Sequence, residues 1–268
     1  MMIAWMATLF LTISYFNPSA HATVKPLPLD QHNIFLLGER HDHPQHHENQ
    51  AVWLEQIAKQ NNTIVVMEMM QTHQRLEPHQ RPSTAEQWEM LLNWEESGWP
   101  NFDIYRPLFD VITKYQLDVL PGTLHSPQRN MKDRLEGLRK EVSRVLSIPD
   151  DIKQQMGQEM IDAHCGLLPP QYISPMVEIQ WLKDAFMSQQ IISALNKAPQ
   201  VVLIAGNGHT QSRSGVPVHL RAAGYQALSV VQEEPDKASY ASKENYVVRT
   251  EPFPMDDPCV SLRTRFSA

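Results

Sequence analysis

The chain has 268 residues, 42% of them hydrophobic and 20% charged, with 30 acidic against 23 basic side chains and a formal charge of −7. That balance argues against a nucleic-acid binder built around a phosphate-neutralising face, and the composition excludes disordered and fibrous classes. Two cysteines, Cys165 and Cys259, are too few for a disulfide scaffold or a four-thiolate zinc or iron–sulfur site, whereas twelve histidines outnumber the ten glycines.

Residues 1–22 carry no charged side chain, and 2–16 form an apolar run that is short for a membrane span. Asn17 and Pro18 break it, and Ala20-His21-Ala22 places small residues where a signal peptidase reads. The pattern predicts a cleaved export signal at 1–22 and a single domain over 23–268. No Lys or Arg precedes the run, which leaves a retained anchor as the alternative, and no cysteine follows it for lipid attachment. In an oxidising compartment Cys165 and Cys259 can pair across 94 residues, or stand as two separate thiols.

The first strong element is 33–37, an apolar run ending at Gly38 and expected of a strand buried on both faces. A helix over about 46–59 and a second buried strand at 63–67 follow, which together imply a right-handed parallel crossover. Ser83 with Glu86 reads as a capping box opening a helix that stops before Gly98. Next come a helix at 103–115 with Pro107 near its first turn and a short strand at 117–120. A charged, helically spaced stretch at 126–164 is broken at Ile148-Pro149, and a long helix opened by Pro175 runs to 195. The chain closes with a strand at 200–205, a helix at 216–223 and strands at 227–231 and 246–248. The expected fold is α/β, a mainly parallel sheet flanked by helices, with a helical insertion over about 126–195 acting as a cap.

Open parallel sheets bind at the carboxyl ends of their strands. Here three strand ends deliver Glu39 and His41, Glu68, and His209 to one edge. Two carboxylates and two imidazoles suit a divalent-metal site with an open position for water, or without metal a general acid–base pair. The structural alternative holds Glu68 on backbone donors and uses His209 as a cap. Within His41-Asp42-His43-Pro44-Gln45-His46-His47, the residues His43, His46 and His47 read as solvated members of a helix's first turn. Gly206-Asn207-Gly208 lacks both the third glycine of a dinucleotide fingerprint and a P-loop lysine, so it reads as a turn that lets His209 reach the site. Arg213 before the 216–223 helix offers a place for an anionic group such as a carboxylate or propionate. No G-x-S-x-G elbow occurs.

The segments GERHDHPQHHENQ (38–50), VVMEMM (65–70), WPNFDIYRPL (99–108), AHCGLLP (163–169), MVEIQWLKDAFM (176–187) and IAGNGHTQSRSGVPVHL (204–220) resemble, in order, those of the ChaN family of haem-binding uptake proteins, within the Tiki, TraB and erythromycin-esterase-like superfamily. The resemblance spans about 33–250. It implies an exported, periplasmic or outer-membrane-associated protein that binds haem, forms homodimers holding two haems face to face, and serves an outer-membrane haem receptor system. It also implies iron coordination by a tyrosine, with a partner histidine assisting at the propionates. Tyr172, in an exposed connection flanked by Leu167, Leu168, Ile173 and Met176, is the first candidate and Tyr105 the second; His164 is a candidate axial or propionate contact and Arg213 a propionate partner. In Tiki-like members, the residues matching Glu39, His41, Glu68 and His209 support metal-dependent hydrolysis, which stands as the alternative function.

Overall fold

The computed structural model describes residues 24–125, 130–235, 242–254, 257, 259–260 and 262–263. The expected export signal lies outside the described residues, as do 126–129 of the expected insertion. Among the described residues, six strands form one all-parallel sheet: β1 (Ile34–Glu39), β2 (Thr63–Gln71), β3 (Asp118–Thr123), β4 (Gln200–Gly206), β5 (Leu228–Glu233) and β6 (Tyr246–Arg249). Their order is β3-β2-β4-β1-β5-β6. The helices are α1 (Pro44–Gln60), α2 (Ala85–Leu91), α3 (Trp94–Ser97), α4 (Phe102–Lys114), α5 (Met131–Glu141), α6 (Asp150–Ala163), α7 (Pro170–Leu195), α8 (Asn207–Thr210) and α9 (Val216–Ala222).

The apolar runs of β1, β2 and β4 divide by the two-residue period of a strand. Phe35, Leu37, Val65, Met67, Val202 and Ile204 enter one core with Trp53 and Leu54 of α1, Trp88 of α2 and Phe109 of α4. Ile34, Leu36, Ile64, Val66, Val201 and Leu203 enter the other, against Met187, Ile191 and Ala194 of α7 and Val216 and Leu220 of α9. Each such fully buried aliphatic side chain contributes about 1.5–3 kcal/mol. The strands are apolar throughout because helices cover both faces, as the parallel-sheet reading requires.

The central trio β2-β4-β1 sets the carboxyl ends of three strands side by side, with Glu39 in register with Gly206. The expected insertion of about 126–195 included α7, but α7 lies on the sheet through Met187, Ile191 and Ala194, and α5 and α6 pack on α7. Leu135 and Leu138 of α5 meet Ile179, Leu182 and Phe186, and Ile152 and Met156 of α6 meet Val177 and Trp181.

Two local expectations shift. The long helix opens at Pro170, not Pro175, because Pro170 occupies the first helical position where a missing N–H costs nothing. Pro175 then removes a single i→i−4 bond without ending the helix. The cap of α2 is Thr84, whose Oγ1 accepts from the Gln87 N–H at 3.3 Å, while the Gln87 side chain accepts from the Ser83 N–H at 2.7 Å. Glu86, assigned to the box, instead pairs with Arg106 of α4. Of the two alternatives for the cysteines, the structure has the Cys165–Cys259 disulfide.

Candidate functional site

At the central strand ends the structure assembles a chain of buried ion pairs. Glu39, the last residue of β1 and 1% exposed, accepts from the Tyr105 hydroxyl of α4 at 2.7 Å and meets His41 Nδ1 at 2.7 Å and His47 Nδ1 at 3.4 Å. His41 turns its other nitrogen toward Glu68 Oε2, 3.7 Å away at the end of β2. The same Glu68 oxygen accepts from the Gly206 N–H at 2.9 Å, and its other oxygen meets His209 Nε2 at 3.2 Å. His209 Nδ1 reaches Asp184 Oδ1 of α7 at 2.5 Å, and Gln180, one turn earlier on α7, adds a contact at 3.1 Å. Charge therefore alternates along Glu39, His41, Glu68, His209 and Asp184.

Burial opposes ionisation at every member, and the neighbouring opposite charges outweigh it at most of them. Burial disfavours a charged His209, yet Glu68 and Asp184 push its pKa up to about 10. Burial likewise opposes protonation of His41, but Glu68 and Glu39 raise it. Burial would raise Glu39, and His47 and His41 instead hold it well below the carboxylate range; His209 and His41 do the same for Glu68. Asp184 is the exception: burial wins over His209 and lifts it to about 6.

His41 is the member that meets solvent, its side chain 33% exposed with the Trp99 ring edge-on at 4.8 Å. Gly206 makes the close approach possible, since a Cβ there would stand 2.8 Å from His41 Nε2. Its role is room for His41 rather than a sharp turn, because its φ is an ordinary −58° and β4 runs straight into α8.

The predicted quartet Glu39, His41, Glu68 and His209 is thus brought together. It forms successive pairs, however, and among the described residues no three His, Cys, Asp or Glu side chains are placed to hold a metal ion. The divalent-metal reading gains no support from this arrangement.

The dense histidine run is not solvated. His43, His46 and His47 are 2%, 1% and 0% exposed, because the segment after β6 folds over the start of α1 and supplies partners from far along the chain. His43 Nε2 lies 3.0 Å from the Glu251 carbonyl and His46 Nε2 3.0 Å from Thr250 Oγ1. His46 Nδ1 accepts from the Arg40 N–H at 2.8 Å, and His47 Nε2 donates to the His41 carbonyl at 2.9 Å. Burial drives the His46 pKa down to about 2, so it is a neutral packing residue.

The tyrosine candidates separate cleanly. Tyr105 is wholly buried with its hydroxyl committed to Glu39, so it belongs to the ionic chain and presents no surface to a haem. Tyr172, on the first turn of α7, is 44% exposed. Beside it are the half-buried Leu167, Leu168, Ile173 and Met176, and His164 closes α6 at the other side of the same loop. His164 Nδ1 donates to the Met160 carbonyl at 2.7 Å, which leaves the lone pair of the neutral ring on Nε2. The disulfide fixes this corner. Arg213 does not join it: its guanidinium pairs with Asp151 at 2.8 Å, at the opposite end of α6. A helix of that length spans roughly 20 Å. Arg213 therefore stands apart from Tyr172 and His164.

Asp184, Gln180, His47 and Trp99 are site residues that the strand-end rule does not reach. One signal marks Asp184, a carboxylate set beside Lys183 between the apolar pairs Trp181-Leu182 and Ala185-Phe186 of α7.

A doubly wound parallel sheet with its polar residues gathered at the central strand ends defines a broad class of ligand-binding and enzymatic α/β proteins. Within it, residues 28–220 match the model of the haem-binding uptake, Tiki superfamily, ChaN family. The chain belongs to that family. The structure showing cofacial haem binding to ChaN of Campylobacter jejuni is similar with a TM-score of 0.63 at 21% identity, covering 78% of this chain and 84% of that one. The type III effector HopBA1 is similar with a TM-score of 0.46 at 11% identity, over 82% of this chain and 88% of that one. No curated protein matches in sequence.

Proposed function

We propose that the protein is an exported haem carrier, periplasmic or outer-membrane-associated, which holds haem at the α6–α7 corner through Tyr172 with His164 beside it and works as a homodimer feeding or fed by an outer-membrane haem receptor. The observation that carries the site is the exposed phenol of Tyr172, which has no hydrogen-bond partner among the described residues and stands among half-buried aliphatic side chains. Haem supplies a ferric iron that accepts a hard anionic oxygen. The chain supplies the phenol oxygen and an imidazole nitrogen, and an apolar apron of Leu167, Leu168 and Val260 that excludes water from a flat ring. Face-to-face haems in the Campylobacter relative fit two such corners meeting, hence the dimer. The apolar residues 2–16 and the disulfide support export to an oxidising compartment. Haemin titration of the purified protein, followed by absorbance and by mass in solution, tests this. The expectation is a saturable Soret band accompanied by doubling of mass; absence of saturable binding rejects it.

A second reading, hydrolysis at the strand ends, is favoured by one observation. His41 is a part-exposed imidazole, held protonated by Glu68 and Glu39, at the surface of a buried ionic chain, as a general acid requires. Turnover of acyl esters or peptides that disappears in His41→Ala would support it, and wild-type inactivity on both would remove it.

A further inference from the structure

A cleft of about 320 Å³ opens between α7, α9 and the loop joining α5 to α6. Its walls are apolar, with Leu146, Ala185, Ile192 and Tyr225 among them. Two deeply buried polar side chains line it as well: Ser188 of α7, 3% exposed, and His219 of α9, 6% exposed. His219 is unusual in this molecule. Every other buried histidine has a partner at both ends or a carboxylate beside it, or reaches the carbonyl or hydroxyl of the C-terminal segment. Among the described residues His43 Nδ1, His47 Nδ1 and His219 Nε2 are buried ring nitrogens without a hydrogen-bond partner, but the first two rings bond through Nε2, whereas that of His219 rests against Trp181 at 4.5 Å. Burial alone, unopposed by any neighbouring charge, lowers its pKa to about 4, so it is neutral. A buried polar atom without a partner is costly, and a packing role would be served as well by an aromatic hydrocarbon.

The charge around the cleft is one-sided. Arg144 is the charged residue of its lining, and no acidic side chain contributes. That guanidinium gives one N–H to the Ala222 carbonyl at 3.0 Å and makes no ion pair among the described residues. Size, apolar walls, a few convergent polar groups and a lone cation match the general form of a small-molecule site.

We propose that this cleft is a second ligand site, separate from the haem corner, which takes a small carboxylate with an apolar body, the carboxylate meeting Arg144 and the buried end of the ligand bonding to His219 and Ser188. The occupant is a monoanion of aromatic or short aliphatic type. Benzoate and octanoate serve as probes, with benzyl alcohol as the uncharged control.

Calorimetric titration of the intact protein, with the ring resonances of His219 followed by NMR, tests the assignment. Wild type is expected to bind benzoate or octanoate saturably and to shift the His219 signals, and to bind benzyl alcohol more weakly. Arg144→Gln, at an exposed position that cannot compromise folding, should weaken the anion about tenfold, the worth of one charge-assisted hydrogen bond. His219→Phe should also weaken binding while leaving the melting temperature equal or higher, because it keeps the ring packing and removes the unsatisfied nitrogen. Absence of saturable binding by both anions overturns the proposal, as does binding that neither variant changes. Equal affinity for benzyl alcohol overturns the carboxylate assignment.

Discussion

The ionic chain at the strand ends draws Glu39, His41, Glu68, Asp184 and His209 from β1, the turn after it, β2, α7 and α8 and buries all of them except His41, which is part-exposed. The α6–α7 corner uses residues that are neighbours in sequence, His164 through Met176, and leaves its tyrosine 44% exposed. In the first region every charge needs its partner, so function and stability are inseparable. In the second, Tyr172 does nothing for the fold, and order comes from a covalent clamp beside it. A site of the first kind tolerates little change, whereas one of the second kind can exchange a ligand residue without unfolding the chain.

The largest effect should come from that clamp. Closing a 94-residue loop stabilises by about 4–5 kcal/mol in the chain-entropy model. Cys259→Ser should lower denaturant stability by an amount of that order and loosen the corner selectively, so that amide exchange rises in 164–176 and not along β1 or β4. Uniform loosening would show that the corner is held by packing and that the contrast between the regions is weaker than drawn.

Next is His209→Leu. Removing the imidazole strands Glu68 and Asp184 as buried carboxylates, and breaking a buried pair in this way costs about 3–5 kcal/mol. Urea unfolding measures it. A loss below about 1 kcal/mol, the value of an exposed pair, would mean that water reaches the chain and that burial is not what distinguishes it.

A smaller effect is the dependence on pH. The His209 pKa is raised to about 10, so its contribution is complete below the unfolded value of about 6.5 and is lost as pH rises through 10. His41 is raised too and acts in the same direction. The lowered pKa of Glu39 and Glu68 works on the acid side, where stability is lost as pH falls below about 4.3, and Asp184 has its effect below about 6. The interval between pH 6.5 and 10 thus isolates the two histidines. Unfolding free energy should fall across it by up to about 1.4 kcal/mol per pH unit for each proton held, and the slope should shrink in His209→Leu. Equal slopes would assign the dependence elsewhere.

How much of each region can be read in the sequence follows from the same contrast. β1, β2 and β4 are legible because a strand buried on both faces is an apolar run with a sharp end, and the strand-end rule then places Glu39, Glu68 and His209 without any contact being known. His43, His46 and His47 mislead because what covers them, Thr250 and Glu251, lies 204 and 208 residues away for the contacting pairs. Asp184 escapes a rule that looks only at strand ends, since it is carried in by the face of a helix. Tyr172 is legible as exposed from its Pro-rich surroundings, whereas Tyr105 is mistaken for a surface candidate because helical spacing does not show that its hydroxyl points down at Glu39. Arg213 stands apart from the other haem candidates, at the Asp151 end of α6, which its sequence neighbours do not show.

The smallest effect on stability, and the one that tests the comparison most directly, belongs to Tyr172→Phe. The side chain is exposed and its hydroxyl bonds to nothing among the described residues, so the change should move stability by less than about 0.5 kcal/mol. Haem affinity should nonetheless fall by at least about tenfold, the loss that even outer-shell partners of a metal cause, and the Soret and charge-transfer bands should lose their phenolate character. His209→Leu makes the reciprocal case: provided the measurement is made where the variant is folded, its haem spectrum should match that of wild type. If Tyr172→Phe binds haem with unchanged spectrum and affinity, the iron is ligated elsewhere, with His164 next in line through its free Nε2. If His209→Leu loses haem while Tyr172→Phe keeps it, the buried chain and the haem site are one region, and the division between a structural interior and a functional corner does not hold.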